Sequence, residues 1–185
     1  MLGQPENPVL PQRENAQVRS ISREVDLAWL AGILDGEGAL SAAVTPKHKR
    51  SYLDVKVRVY NTDVRMIRKI ARIYTEIGVV FFYNLNKRRK AHYKDQLGIC
   101  VATQGSCLKL LEAVKPYLSN KQDVAQAIID VISFVKSLPR AGNSWSNDYA
   151  DKDAFKSLIQ NCESAKVYHI EPSTTTRKAG QVLAW

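Results

Sequence analysis

The chain has 185 residues, 45% of them hydrophobic, and 27 Lys and Arg against 18 Asp and Glu give it a formal charge of +9. That length supports one folded unit whose core needs no disulfide or metal staple, and the positive excess points to an anionic partner, either a nucleic acid or an anionic membrane surface. No apolar run approaches the about 20 residues that span a bilayer. Met1 to Ser22 holds prolines, Gln, Asn and Glu in place of a secretory core, so a soluble, intracellular protein is expected.

Met1 to Arg19 is rich in Pro, Gln and Asn and reads as an extended arm, with residues 1–21 set apart from the folded domain. Ser22 is placed to cap a helix, with Glu24 in its first turn. That helix runs into Leu30-Ala31-Gly32-Ile33-Leu34-Asp35-Gly36-Glu37-Gly38. Ala28, Gly32 and Gly36 recur every four residues, so one face has too little bulk to keep a second helix at a distance. Glu37 follows between two glycines, where its carboxylate and the Gly36 carbonyl could meet a hard divalent cation. The alternative is a packed core helix ending in a glycine turn with solvated carboxylates.

A strand is predicted at Ala39–Thr45, a basic loop at Pro46–Ser51 and a second strand at Tyr52–Tyr60. The second strand alternates, with Val55, Val57 and Val59 on one side and Asp54, Lys56, Arg58 and Tyr60 on the other. Val64, Ile67, Ile70, Ala71, Tyr74 and Ile77 keep helical spacing up to Gly78. Val79–Asn86 and Lys94–Ala102 read as a hairpin around Lys87-Arg88-Arg89-Lys90, with Leu97, Ile99 and Val101 inward and Gln96 outward. Helices follow at about Ser106–Lys115, Lys121–Leu138 and Asp151–Ala165, with a loop at Pro139–Asn147 and a weakly patterned tail from Pro172.

The expected class is therefore α+β, in the order α-β-β-α-β-β-α with further C-terminal helices and a four-stranded antiparallel sheet covered on one face. Its open face would carry Lys56, Arg58, Tyr60, Tyr83, Lys94 and Gln96, a polar, basic ribbon of a width that a DNA major groove admits. Cys100, Cys107 and Cys162 show no Cys-x-x-Cys spacing and read as reduced core residues. His48, His92 and His169 stand alone and carry no assignment.

The nine residues quoted closely resemble the signature of the LAGLIDADG homing endonucleases, and the element order matches that fold. The resemblance runs from about Ser22 to Lys178, with further matches at Val59-Tyr60-Asn61-Thr62, Glu76-Ile77-Gly78-Val79, Pro116-Tyr117-Leu118 with Lys121-Gln122, and Thr176-Arg177-Lys178. One motif copy resembles the homodimeric, chloroplast group I intron-encoded type. This likeness implies a domain at 22–170, a DNA-contacting tail at 171–185, and a dimer interface through Ala28, Gly32, Asp35 and Gly36.

By the same resemblance, Glu37 and the Gly36 carbonyl bind Mg²⁺, with Mn²⁺ able to substitute and Ca²⁺ supporting binding without turnover. Asn61 orders the catalytic water, with Thr62 as its rival in register. Arg65, with Met66 as its rival, and Lys121 supply a basic pocket, and Asp35 supports the turn. DNA would be contacted by Ser41, Ala43, Thr45, Tyr52, Asp54, Lys56, Arg58, Tyr83, Lys94, Gln96 and Cys100. Lys47, Lys49, Arg50, Lys87, Arg88, Arg89, Arg177 and Lys178 would join from loops and tail. The implied activity is a double-strand break in a pseudo-palindrome of about two helical turns, promoting intron mobility in an organelle or a bacterial or archaeal cytoplasm. An RNA-binding maturase acting on intron RNA is the alternative, and a non-catalytic DNA-binding regulator is a third class.

Overall fold

The computed structural model describes residues 12–47, 50–87, 94–138 and 144–146, together with Ser157, Gln160 and Asn161. The elements run α1 (Gln12–Glu37), β1 (Gly38–Lys47), β2 (Arg50–Asn61), α2 (Val64–Glu76), β3 (Phe82–Asn86), β4 (Gln96–Val101), α3 (Gln104–Val114), a 3₁₀ turn (Lys115–Tyr117), α4 (Gln122–Ser137) and β5 (Ser144–Ser146). The four long strands are antiparallel in the order β1-β2-β4-β3.

Alternation accounts for the sheet. Leu53, Val55, Val57 and Val59 of β2 and Ile99 and Val101 of β4 are buried beneath the helices, while Tyr52 and Asp54 are exposed on the opposite face. Helical spacing accounts for the layer above it. Leu27, Leu30, Ala31 and Leu34 of α1 meet Ile67, Ile70 and Tyr74 of α2, Leu110 and Leu111 of α3, and Ile128 and Ile132 of α4 in one core. Asp63 starts α2 by accepting the Arg65 N–H at 2.8 Å, and Gly78 ends it at φ +67°, where a side chain is strained. Beside them Arg72 ties α2 to Asp26 of α1 at 2.8 Å, and the Lys69 ammonium sits 4.0 Å above the Trp29 ring.

Two glycines allow close approaches. A Cβ on Gly38 would lie 2.6 Å from the Leu34 carbonyl oxygen, so only glycine lets the chain leave α1 and enter β1 at once. A Cβ on Gly98 would collide with the Tyr60 ring, which lies across it from the paired position on β2.

The structure departs from the expectations in five places. α1 begins at Gln12, so Gln12 to Arg19 of the expected arm are helical and Ser22 stands inside the helix, while residues 1–11 lie outside the described residues; Gln12 to Ala31 contains no Pro or Gly to interrupt the helix. Most of the expected basic loop at Pro46–Ser51 is strand, because β1 and β2 stay paired as far as Lys47 and Arg50, and residues 48–49 lie outside the described residues. The stretch Pro139–Asn147 contains β5, which pairs Ser144–Ser146 with Arg50–Tyr52. Tyr83 faces the helix side opposite Ile99, and Phe82, Asn84 and Asn86 take the open face. Cys100 is on the open face but buried at 4% exposure, hence out of reach of a base edge in this arrangement. The predicted helix at Asp151–Ala165 lies outside the described residues except for Ser157, Gln160 and Asn161, which are helical, and the tail lies wholly outside them.

Cys107 is fully buried in the core, its thiol within 3.7 Å of the Val55 carbonyl and 3.5 Å of that of Val101. Burial pushes its pKa from the ordinary 9.0 to about 12, and burial likewise raises that of the Tyr74 phenol. An acid whose folded pKa lies above its unfolded value adds stability below the unfolded value and loses it as pH climbs towards the folded one. The unfolding free energy from urea titrations should thus fall by about 1.4 kcal/mol per pH unit for each such group, from about pH 9 upwards for Cys107 and about pH 10 for Tyr74. Replacing Cys107 by Ala should flatten that fall, and an identical alkaline slope in the variant would contradict the assignment.

Candidate active site and nucleic-acid interface

Glu37 is the last residue of α1 and Asn61 the last of β2. The register that pairs Gly38 with Val59 carries Asn61 past the start of β1 and back beside the helix end. There the Asn61 Nδ2 donates to the Glu37 Oε2 at 2.6 Å, while the Asn61 Oδ1 accepts the Asp63 N–H at 2.7 Å. Asn61 is thereby anchored at one end and holds the carboxylate at the other. Thr62 is exposed and Met66 packs against the core.

Arg65 is directed elsewhere. Its guanidinium pairs with Asp63 at 2.9 Å and its side chain is 89% exposed. Their hydrogen bond holds the Asp63 carboxyl below its usual range and raises the Arg65 pKa. Lys121 lies half-buried between α1 and α4, and its Nζ donates to the carbonyls of Leu34 at 2.7 Å, Asp35 at 2.9 Å and Gly38 at 2.7 Å. Desolvation lowers its pKa, against the pull of Asp35. The Asp35 carboxylate in turn accepts the backbone N–H groups of Ser119 at 2.7 Å and Lys121 at 2.9 Å. Asp35, named with the dimer interface, thus spends its carboxylate within its own subunit.

Among the described residues no group of three or more His, Cys, Asp and Glu is gathered tightly enough to hold a metal ion. What the turn offers is one exposed carboxylate beside backbone carbonyls. Such an oxygen-only set fits Mg²⁺, which keeps several waters and needs only one or two protein carboxylates. Ala28, Gly32 and Gly36 are exposed along one side of α1, and a Cβ at Gly32 or Gly36 would meet nothing within 4 Å.

The open face of the sheet carries Ser41 and Ala43 of β1, Tyr52, Asp54, Lys56, Arg58 and Tyr60 of β2, Gln96 of β4, and Phe82, Asn84 and Asn86 of β3. Some of its groups already have partners. Lys56 pairs with Asp54 at 2.6 Å, Asn84 donates to the Tyr60 hydroxyl at 3.1 Å, and Asn86 donates to Gln96 at 3.3 Å. The Arg58 Nε is buried and lacks a hydrogen-bond partner among the described residues. Lys87 and Lys94 are exposed beside this face, and Thr45, Lys47 and Arg50 fall within the paired strands. Lys49, Arg88, Arg89, Arg177 and Lys178 lie outside the described residues. Phe82, Asn84 and Asn86 are not singled out by the sequence pattern; the polar alternation Asn84-Leu85-Asn86 is the signal that could have found them.

No protein-family profile and no curated protein sequence matches the chain. Solved structures do match. The homing endonuclease I-CvuI, in complex with the I-CreI target, superposes at a TM-score of 0.56 with 18% identity, covering 78% of this chain and 82% of its own. The archaeal intron-encoded homing endonuclease I-Vdi141I, complexed with DNA, gives 0.56 at 11% identity over 78% of this chain and 87% of its own. The LAGLIDADG meganuclease I-AabMI, bound to uncleaved DNA, gives 0.51 at 16% identity, and the chain spans 44% of its length. The chain has the LAGLIDADG homing-endonuclease fold. Within that fold the stretch Leu30–Gly38 ends α1 and opens β1, and one face of the antiparallel sheet is left uncovered by helices. No helix among the described residues is long and apolar enough to cross a membrane.

Proposed function

We propose that the protein is a LAGLIDADG homing endonuclease of the single-motif, homodimeric group, cutting both strands of a long pseudo-palindromic DNA and so promoting the mobility of its intron. The observation that carries this is the Glu37 carboxylate, exposed at the end of a helix whose outer side is stripped to Ala and Gly and steadied by Asn61 at 2.6 Å. A two-fold axis along that stripe brings two such carboxylates together. Mg²⁺, held there by Glu37 and the Gly36 carbonyl, would supply Lewis-acid stabilisation of charge on the phosphate and a more acidic water.

The chain's own residues do the rest. Asn61 fixes the carboxylate by its N–H, and the Tyr52, Lys56 and Arg58 side of β2 meets the DNA. The backbone phosphates set the register, while the polar side chains of the open face read base edges. Neutralising the phosphates leaves most of the affinity to the cations.

The test is to select duplexes from a randomised pseudo-palindromic library and incubate the winners with protein and Mg²⁺. Paired breaks at one fixed site support the reading. Tight binding to intron RNA with no DNA breaks would replace it with the maturase. A second expected result concerns salt: replacing Lys87, Arg88, Arg89 and Lys90 by Ala should reduce the slope of log affinity on log salt by about 0.9 for each phosphate no longer neutralised. Fluorescence anisotropy at several salt concentrations reads it, and an unchanged slope places the DNA away from these four residues.

A further inference from the structure

Lys121 would serve a phosphate only if a donor of its ammonium pointed outward. The ammonium has three N–H groups, and three carbonyl oxygens converge on its nitrogen, those of Leu34, Asp35 and Gly38 at 2.7, 2.9 and 2.7 Å. All three donors are thus engaged within the protein. Two of the acceptors belong to the last turn of α1, whose carbonyls have no partner further along the helix and carry the negative end of its dipole.

The arrangement is reciprocal. Asp35 leaves the same turn of α1 and accepts the N–H groups of Ser119 and Lys121 at the entry to α4, where a helix favours negative charge. Gly36 and Glu37 are the only two residues between the clamped carbonyls of Asp35 and Gly38. Gly36 offers no side chain of its own to stiffen that span.

We propose that Lys121 is a positioning residue: with Asp35 it clamps the turn on both sides of Gly36-Glu37 and so sets the direction of the Glu37 carboxylate, without touching the DNA phosphate. The inference rests on the reading of Glu37 as the metal-binding group. A compact ammonium can aim three N–H groups at three oxygens around one point, whereas the flat guanidinium of Arg cannot. Arg is, however, the better phosphate ligand, so K121R separates the two roles.

Three variants decide it: K121R, K121M and D35N. The readouts are calorimetric titration of Ca²⁺ into the complex with the selected duplex, single-turnover cutting in Mg²⁺, and amide hydrogen exchange at Gly36, Glu37 and Gly38. K121R and K121M should lose about 10- to 100-fold in both Ca²⁺ affinity and cutting rate, the range seen when a residue supporting a metal ligand is removed. Metal-free affinity for the duplex should stay within about twofold, because Lys121 neutralises no phosphate. Exchange at the three amides should quicken in each folded variant.

K121R cutting at the native rate with native Ca²⁺ affinity would overturn the proposal, as would a fall in metal-free DNA affinity with Ca²⁺ affinity intact. If K121M does not fold, the near-isosteric D35N carries the test. It should weaken Ca²⁺ binding in the same direction, and unchanged Ca²⁺ affinity in folded D35N would also overturn the clamp. Should the native protein bind no Ca²⁺ and cut nothing, the reading of Glu37 fails instead, and amide exchange at the turn still decides whether Lys121 holds it.

Discussion

Glu37→Gln should cut DNA at least about a hundredfold more slowly in Mg²⁺ while binding its target with near-native affinity. The substitution keeps shape and hydrogen-bonding capacity but removes the exposed charge at the end of α1, and a hard cation is weakened most by the loss of a carboxylate. Asn61 can still donate to the remaining amide oxygen, so the turn need not move. The side chains of the open sheet face, proposed to meet DNA, stand on other elements and are untouched. Single-turnover cleavage and anisotropy on the same selected duplex measure both halves, and full cutting by the variant would remove Glu37 from the mechanism.

Gly32→Leu should separate folding from assembly. In one subunit a Cβ at Gly32 meets nothing within 4 Å, and exchanging a helical glycine for Leu favours the helix by up to about 1 kcal/mol. The isolated subunit should therefore be as stable as the native one, or more so. Across a two-fold axis the added bulk is counted twice, and overpacking of about 1–3 kcal/mol per site weakens a dimer by about thirtyfold or more. Sedimentation equilibrium should show monomers, with double-strand cleavage lost in step. A variant that stays dimeric and active would place the subunit contact on some other surface and leave the two Glu37 residues unpaired.

How much of this was legible beforehand depended on whether the determining contacts were local. The alternation of Val55, Val57 and Val59 placed β2 and its buried face, and the spacing of Ile67, Ile70 and Tyr74 with Gly78 behind them placed α2. β3 was misphased because Val79-Val80-Phe81-Phe82-Tyr83 is apolar throughout, and a run without alternation cannot say which residue faces out. The long start of α1 was hidden for the opposite reason: Gln12 to Arg23 is largely polar, so no apolar stripe announces it.

At the candidate site, the resemblance named Glu37, Asn61 and Lys121, and the fold gathers all three around the end of α1. Their geometry was beyond reach. Asp35 meets the N–H groups of Ser119 and Lys121 across separations of 84 and 86 residues, and no pattern within a window of sequence encodes such a pairing. Asp63 as the cap of α2 was visible in principle, since an Asp ahead of a helical run is a common start.

Asn84 with Tyr60 and Asn86 with Gln96 already hold one another across the exposed sheet. Side chains that wander when free must be frozen by whatever they grip, at about 0.5–1.5 kcal/mol each. These four have surrendered much of that freedom on folding. A base edge meeting them encounters a patterned, half-rigid lattice of amide and hydroxyl groups, in which moving one member disturbs its neighbour. With DNA on this face as proposed, substituting any one of them should therefore shift preference at two adjacent base pairs together, as a code written in pairs of letters would.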